Sequence, residues 1–245
     1  MVHGTIVCLE RTEALRYAAK ELRALGLEIV NKAAPDASHI LLPVPIFPVG
    51  DGYLAHILSD LPDNVIISGG NLHSELFRGY KTVDFLKDPF YQAENAAITA
   101  SAAIGIVEKQ LGTTLEGCPV LVTGWGRIGK CLQKQLEARG AVVTFAARKD
   151  TDRAMIRALG SRGISFRDAS VELTHYRVIV NTVPEMLLPD PVIQPDCVIL
   201  ELASQPGISG VNIIDGRGLP GKLAPKASGK LIARTFIRLS LGKEQ

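Results

Sequence analysis

The chain has 245 residues, of which 47% are hydrophobic, and 27 Lys and Arg against 25 Asp and Glu give a formal net charge of +2. This length predicts one large or two small domains, and the near-neutral charge argues against nucleic acid or a membrane as a partner. The four cysteines form no C-x-x-C pair, so we expect no metal site and a reducing, cytoplasmic location. No stretch approaches ~18 uninterrupted apolar residues, and the N-terminus lacks the features of a signal peptide.

Strand-like apolar runs alternate with helical patterns over residues 1–93. The apolar spacing in residues 11–26 predicts a helix ended by Gly26, and the proline- and glycine-rich segment 43–52 predicts a loop. This alternation indicates a mostly parallel, helix-covered sheet, so we predict an α/β, flavodoxin-like substrate domain. The predicted strands are residues 5–10, 27–31, 39–44 and 64–69.

The alanine-rich segment 94–112 predicts a long helix that links this domain to a second one. Residues 94–225 are assigned to this linking helix and the second domain. A last helix begins near Lys226, and residues 226–245 are predicted to pack back towards the N-terminal domain. The predicted fold is therefore two doubly wound α/β domains, the second of them a Rossmann domain. Its predicted strands are residues 119–124, 141–148, 178–183 and 197–203.

The segment VTGWGRIGK (122–130) places Gly124, Gly126 and Gly129 at G-x-G-x-x-G spacing. A strand-like run precedes it, a helical pattern follows, and a second strand-like run completes a unit of about thirty residues, as a dinucleotide site requires. Gly124 would permit the tight turn, Gly126 the approach to the pyrophosphate, and Gly129 the close packing of helix on strand. The alternative is a glycine-rich turn without a ligand. The predicted cofactor contacts in this loop also include Trp125, Arg127 and Ile128.

The end of the second strand of this unit carries Arg148 and Lys149 instead of an acidic residue. A guanidinium suits a 2′-phosphate, so NADP is the predicted cofactor, with NAD possible. The alternative is that Arg148 is only a solvated surface charge. Asp150 is expected to cap the helix that follows.

A series of segments in other parts of the chain is more specific than the glycine loop. They are ILLPVP (40–45), VIISGGN (65–71), NAAITASAAI (95–104), GWGRIG (124–129) with AAR (146–148), VNTVPEMLL (180–188), LELASQPG (200–207) and GLPGKLAPKASGKLIA (218–233). In this order, the series resembles the A subunit of bacterial dipicolinate synthase over nearly the whole chain.

The resemblance implies oxidation of a cyclic precursor from the lysine pathway to pyridine-2,6-dicarboxylate, the calcium-chelating acid made in sporulation. It implies a nicotinamide cofactor, a small dicarboxylate substrate and the flavoprotein-like B subunit of dipicolinate synthase as partner, and we also expect a homo-oligomer. Two departures stand against it: Gln205 occupies a position where the family usually has arginine, and the N-terminal domain is shorter than the family norm.

Ligands of open α/β sheets bind outside the carboxyl ends of the strands, so the matching positions at strand ends are the predicted contacts. Ser68 and Gly69 are assigned to the substrate, and Ser204 to catalysis. A simple strand-to-turn transition is the alternative for Ser204 and for the segment NTVP (181–184). The predicted cofactor contacts at strand ends are Asn181, Thr182, Val183, Pro184 and Ala203.

Asn95 and Thr99 share one face of the linking helix. Asn95 is assigned to catalysis and Thr99 to the substrate. The alternative is that they form a helix cap or an interdomain hydrogen bond. Lys226 is predicted to attract a carboxylate at the start of the last helix, as a catalytic residue, beside Pro225 as a substrate contact. The rest of its basic stripe, Lys230, Arg234 and Arg238, is interpreted as a solvated face. The general base stays open, with His73 as one candidate.

The reaction predicted from these features is hydride transfer from the substrate ring to NADP. Two other functions stay open. One is a D-2-hydroxyacid-dehydrogenase-like reductase of another small acid, for which His175 is misplaced because it precedes its strand. The other is a non-catalytic, NADP-binding regulatory protein.

Overall fold

The structure is a computed structural model that describes residues 4–46, 51–210 and 212–242, with the side chain of Asp51 left out. Residues 47–50 of the predicted loop therefore lie outside the described residues. The chain divides into two compact units. The first unit comprises Met1–Asn95 and Pro220–Gln245, and the second comprises Ala96–Leu219.

The first unit contains a parallel sheet with the order β2-β1-β3-β4-β5, which is the flavodoxin-like order. Helix α1 begins after Thr12, whose side chain accepts the N–H of Leu15 at 3.2 Å, and it packs extensively on α8. Gly229 permits this packing, because a β-carbon there would lie 2.4 Å from Cβ of Tyr17. The strands are β1 (Thr5–Cys8), β2 (Ile29–Val30), β3 (Ala37–Leu41), β4 (Ile66–Gly69) and β5 (Lys81–Asp84), and the helices are α1 (Glu13–Ala24), α2 (Asp51–Ser59), α3 (Pro89–Leu111, which continues into the second unit), α7 (Leu219–Leu223) and α8 (Pro225–Ser240).

The second unit contains a six-stranded parallel sheet with the order β11-β10-β9-β6-β7-β8. The strand order reverses between β6 and β9, and in open α/β sheets this switch point marks the ligand site. Strands β6, β9 and β10 are apolar runs because both faces of the sheet are covered. The elements are β6 (Pro119–Thr123), α4 (Arg127–Glu137), β7 (Val142–Ala146), α5 (Asp150–Ala158), β8 (Arg162–Ile164), α6 (Phe166–Val171), β9 (Val178–Asn181), β10 (Val198–Glu201) and β11 (Ile213–Asp215).

The predicted fold class, two doubly wound α/β units of which the second is a Rossmann fold, is confirmed. The pattern did not predict the short strands β5, β8 and β11, because their few residues include exposed or half-buried side chains. The cap predicted at Asp150 is wrong. Lys149 occupies the N-cap of α5, and Asp150 is the first helical residue, ion-paired with Arg153. In the described part of the chain, no helix has the length and apolar character needed to cross a membrane.

Asp88 joins the start of α3 to α8 within the first unit. Its carboxylate accepts the N–H of Tyr91 at 2.6 Å and a guanidinium N–H of Arg238 at 2.6 Å. Burial acts to raise the pKa of Asp88, but the hydrogen bonds from Arg238 and the backbone outweigh it and hold the pKa below its ordinary value. Arg234 is also paired, with Glu94. Arg234 is exposed, as a solvated face requires, whereas Arg238 is half-buried against Asp88, so that interpretation is wrong for Arg238.

Asp88→Asn should lower the free energy of unfolding by about 1–2 kcal/mol at pH 7, because it removes a charge-assisted bond to Arg238. A carboxyl whose pKa is depressed in the folded state stabilises the protein above its unfolded pKa, and this contribution is lost as the pH falls through the folded pKa. The difference from wild type should therefore shrink below about pH 4. Denaturant titrations at neutral and acidic pH measure it, with Asp63→Asn on the surface as the control. A difference that is independent of pH would contradict the assignment.

Candidate functional site

The glycine loop between β6 and α4 is packed tightly against its neighbours at two of its three glycines. Gly124 has φ +91°, and a β-carbon there would lie 2.5 Å from Oγ1 of Thr182. A β-carbon on Gly129 would lie 2.4 Å from the carbonyl oxygen of Gly124. These two positions therefore require glycine for the turn and for close helix packing.

Gly126 differs from the other two, because nothing in the described protein lies within 4 Å of a β-carbon built there. Its φ of −77° is accessible to any residue, and it occupies the N-cap of α4 without a capping side chain. Neither backbone conformation nor internal packing explains a glycine here. The open space lies at the start of an eleven-residue helix, where unpaired N–H groups favour an anion.

The side chain of Trp125 holds the glycine loop on α4. Its indole N–H donates to Oε1 of Gln133 at 2.8 Å, and the Lys130 ammonium lies 4.7 Å from its ring centroid. Arg127 is exposed, and Ile128 is half-buried against the core. Gln133, which the sequence reasoning missed, is thus a structural support of the predicted cofactor loop.

Arg148 and Lys149 follow β7 and are both exposed. The turn that carries them is held by Arg153, whose Nη1 donates to the carbonyl oxygens of Ala147 and Arg148 at 2.7 Å each. The exposed side chains of Arg148 and Lys149 therefore extend from a turn whose backbone is held by hydrogen bonds. Arg153 was missed because its role depends on a turn that only the folded chain forms.

Asn181 is completely buried, and its side chain bonds only to protein groups in the contacts described. Its Nδ2 donates to the carbonyl of Val183 and to the carboxylate of Glu201, while its Oδ1 accepts from the Thr123 hydroxyl and the Val183 N–H. Thr182 donates its hydroxyl to the carbonyl of Thr123 at 2.8 Å. The side chain of Asn181 therefore shapes the turn after β9, and a cofactor contact at this residue stays a prediction.

The segments that follow β9 and β10 become exposed within a few residues of the strand ends. Val183 is half-buried and Pro184 is exposed after β9. Ala203 is buried and Ser204 is exposed after β10. The ends of β6, β9 and β10 thus bring Gly124, Thr182 and Ser204 to the same edge of the sheet.

Ser68 and Gly69 end β4 in the first unit. The Ser68 hydroxyl is fully buried and shares a 2.8 Å hydrogen bond with the hydroxyl of Ser240. A β-carbon on Gly69 would lie 3.0 Å from Cβ of Leu42, so packing explains this glycine. The Ser68 hydroxyl is thus paired within the protein and buried, and a substrate contact at this residue stays a prediction.

The remaining predicted residues differ in accessibility. Lys226 is exposed as the second residue of α8, after the half-buried Pro225. Thr99 is buried and Asn95 is half-buried, and both already interact within the protein. Lys226 is thus the one residue of these four with an exposed polar side chain.

Two histidines were considered as catalytic residues, one in each unit. His73, in the first unit, is exposed, and its Nε2 lies 3.7 Å from the carboxylate of Asp84. His175 lies before β9, at the amino end of the sheet, so it stays unsuited to the role that a 2-hydroxyacid dehydrogenase requires. Within the described residues, no group of three His, Cys, Asp or Glu side chains is placed to hold a metal ion.

Glu201 is the main residue that the sequence reasoning missed. It is 5% exposed at the end of β10, and its carboxylate accepts from Asn181 and from the N–H groups of Ala203 and Gly207. An acidic residue in an otherwise apolar strand run was the available signal. It lay inside the segment LELASQPG.

No protein-family model matches the chain. The chain is 26% identical over 231 residues to the A subunit of dipicolinate synthase from Bacillus subtilis strain 168, covering 82% of this chain and 76% of that protein. The predicted resemblance is confirmed.

Two solved structures extend the comparison to the fold. The crystal structure of the dipicolinate synthase A subunit from Bacillus halodurans matches with a TM-score of 0.85 and 20% identity, covering 100% of both chains. The apo structure of D-lactate dehydrogenase from Escherichia coli matches with a TM-score of 0.66 and 14% identity, covering 98% of both chains. At these identities the likeness establishes the fold, whereas function has to be argued from the site.

Proposed function

We propose that the second unit binds a nicotinamide dinucleotide at the carboxyl edge of its sheet. The observation that carries this proposal is the open position at Gly126, between two glycines that internal packing requires. A phosphate in that space would accept N–H bonds from the first turn of α4 and would benefit from the helix dipole. The open position at Gly126 therefore supports a dinucleotide site at this loop.

Within this proposal, NADP is preferred to NAD. Arg148 and Lys149 place two exposed cationic groups after β7, where NAD-specific sites carry an acidic residue. A guanidinium can form a bidentate, charge-assisted pair with a phosphate. The hydrogen bond from Arg153 to the carbonyl oxygen of Arg148 restricts the backbone of this turn, so the exposed side chain of Arg148 starts from a fixed position.

Arg148→Ala should weaken NADP binding by about tenfold to a hundredfold, because one charge-assisted contact to the 2′-phosphate is lost. NAD lacks that phosphate, so its dissociation constant should change by less than about threefold. Titration of both nucleotides measures the effect, with Arg167→Ala, which removes an exposed arginine on α6, as the matched control. Equal weakening of both nucleotides would contradict a contact to the 2′-phosphate.

The proposed reaction is the oxidation of a dihydrodipicolinate-type cyclic dicarboxylate to pyridine-2,6-dicarboxylate. It is supported by the similarity to the A subunit of dipicolinate synthase over 82% of the chain. Aromatisation removes a hydride and a proton from the ring, and a bound nicotinamide supplies the hydride acceptor. The polypeptide would bind the carboxylates, orient the ring and exclude water. Lys226, Ser204 and Asn95 stay the predicted catalytic residues, and Thr99 and Pro225 stay predicted substrate contacts.

A turnover assay tests this function. Purified protein is mixed with freshly generated dihydrodipicolinate and either NADP or NAD, with and without a B-type partner. Formation of reduced nicotinamide and pyridine dicarboxylate together is the expected result. Nucleotide binding without turnover under all conditions would favour the regulatory protein, and oxidation of simple 2-hydroxyacids would favour the reductase.

Four wider expectations belong to the same proposal. We propose a cytoplasmic protein with a role in sporulation, a homo-oligomeric state and assembly with the B subunit of a dipicolinate synthase. The partner is suggested by the relative, which is itself named as one subunit of an enzyme. Light scattering with and without the B-type partner measures both forms of assembly.

A further inference from the structure

The loop after β10, residues 202–207, is attached at both ends to one buried carboxylate. Oε1 of Glu201 accepts the N–H of Ala203 at 3.0 Å, and Oε2 accepts the N–H of Gly207 at 2.8 Å. Oε1 also accepts Nδ2 of Asn181 at 2.7 Å. A single side chain therefore determines where this loop begins and ends relative to the strands.

The same hydrogen bonds reach the glycine loop through Asn181. Its Oδ1 accepts the hydroxyl of Thr123, the last residue of β6, which directly precedes Gly124. A β-carbon on Gly207 would lie 2.3 Å from Nδ2 of Asn181, so the far end of the loop packs directly on this side chain. The glycine loop and the loop after β10 are thus held in register by one buried polar network.

Fold stability alone gives no reason for a carboxylate at this position. The rest of β10 is Val198, Ile199 and Leu200, all buried, and the neighbouring strand β9 is apolar up to Asn181. Burying a carboxylate against neutral donors is costly compared with burying an apolar side chain. The carboxylate of Glu201 instead fixes the position of the loop, because it accepts N–H bonds from Ala203 and Gly207 near the two ends of the loop.

The middle of the loop is exposed. Ser204 and Gln205 present neutral polar side chains to solvent, while Gly207 is buried. They follow the carboxyl end of a strand close to the switch point, where ligands of open α/β sheets bind. A loop with fixed ends and an exposed polar middle is suited to the recognition of a small acid.

We propose that Glu201 is a positioning residue that holds the 202–207 loop where Ser204 and Gln205 contact a carboxylate of the co-substrate. The co-substrate is the cyclic dicarboxylate that the nicotinamide would oxidise, and neutral hydrogen-bond donors of this loop would recognise it. This inference rests on the proposed function, and it adds a specificity loop and the residue that supports it.

The test compares Glu201→Gln with wild type and with Glu172→Gln, a carboxylate paired with Arg162 elsewhere in the second unit. Glutamine has the same shape as glutamate, but an NH₂ group replaces one of the two carboxylate oxygens. An NH₂ group cannot accept a hydrogen bond from a backbone N–H, so one end of the loop loses its acceptor. Amide hydrogen exchange at Ala203 and Gly207 reports the loop directly, without any substrate. The dissociation constant of NADP, and KM and kcat for dihydrodipicolinate, report the site.

In Glu201→Gln, we expect exchange at the amide that loses its acceptor, Ala203 or Gly207, to accelerate at least about tenfold, with much smaller changes in β6 and β9. KM for the dicarboxylate should rise about tenfold while kcat and the NADP dissociation constant change by less than about threefold. Unchanged exchange would overturn the proposal. So would an acceleration that is equal throughout the sheet, or a parallel rise in KM and in the NADP dissociation constant.

Gln205→Ala keeps the test decisive if Glu201→Gln does not fold, because Gln205 is exposed. It should raise KM by about tenfold with exchange at Ala203 unchanged, and an unchanged KM would overturn the proposal. Absence of dicarboxylate turnover in the wild type would instead refute the proposed function. The exchange measurement would still decide whether Glu201 positions the loop.

Discussion

Gly126→Asp should abolish nucleotide binding while leaving the fold intact. Nothing in the described protein lies within 4 Å of the added β-carbon, and Asp is a favourable N-cap residue, so stability should change by less than about 1 kcal/mol. The new carboxylate would occupy the space proposed for the phosphates and repel them. We expect the dissociation constant to rise at least about a hundredfold.

Trp125 provides the measurement for this variant. It is the one tryptophan of the chain and lies next to Gly126 in the glycine loop, so its fluorescence is expected to follow nucleotide titrations in both proteins. Val142→Asp is the matched control, because it adds the same charge at an exposed position on the amino edge of the sheet. If Gly126→Asp binds NADP as wild type does and is equally stable, the dinucleotide site is not at this loop.

Gly129→Ala should have the opposite signature, with stability and nucleotide binding lost together. The added methyl would lie 2.4 Å from the carbonyl oxygen of Gly124, which belongs to the backbone and cannot move aside without opening the loop. We expect a loss of about 2–3 kcal/mol in the free energy of unfolding, despite the better helix propensity of alanine. The distorted loop should also bind nucleotide at least about tenfold more weakly.

Gly105→Ala is the control for that substitution. Gly105 is also a helical glycine of the second unit, but it is exposed and nothing in the described protein lies within 4 Å of a β-carbon there. This variant should gain roughly 0.5–1 kcal/mol of stability, because alanine is the better helix former. Denaturant unfolding of both variants measures the contrast, and a Gly129→Ala protein as stable as wild type would contradict the close packing of the glycine loop.

The strand-end residues show where reasoning from the sequence reached its limit. Asn181, Ser68 and Ser204 were all assigned to ligands because each is polar and follows an apolar run. In the fold, Asn181 and Ser68 direct their polar atoms to Glu201 and Ser240, and Ser204 is exposed. The direction of a side chain at a strand end depends on which strands lie beside it. The order in which strands pair cannot be predicted from the residues of one strand.

Local patterns by themselves determined the class of fold and the place of the glycine loop. Apolar runs, helical spacing and the three glycines of the loop are properties of neighbouring residues, because strand burial, helix periodicity and tight turns act over a few positions. Tertiary structure alone decided the roles of Glu201 and Arg153. Glu201 bonds groups on separate segments, and Arg153 braces the turn at Arg148. Such roles arise only when distant parts of the chain meet, since a buried polar group is defined by the partners that surround it.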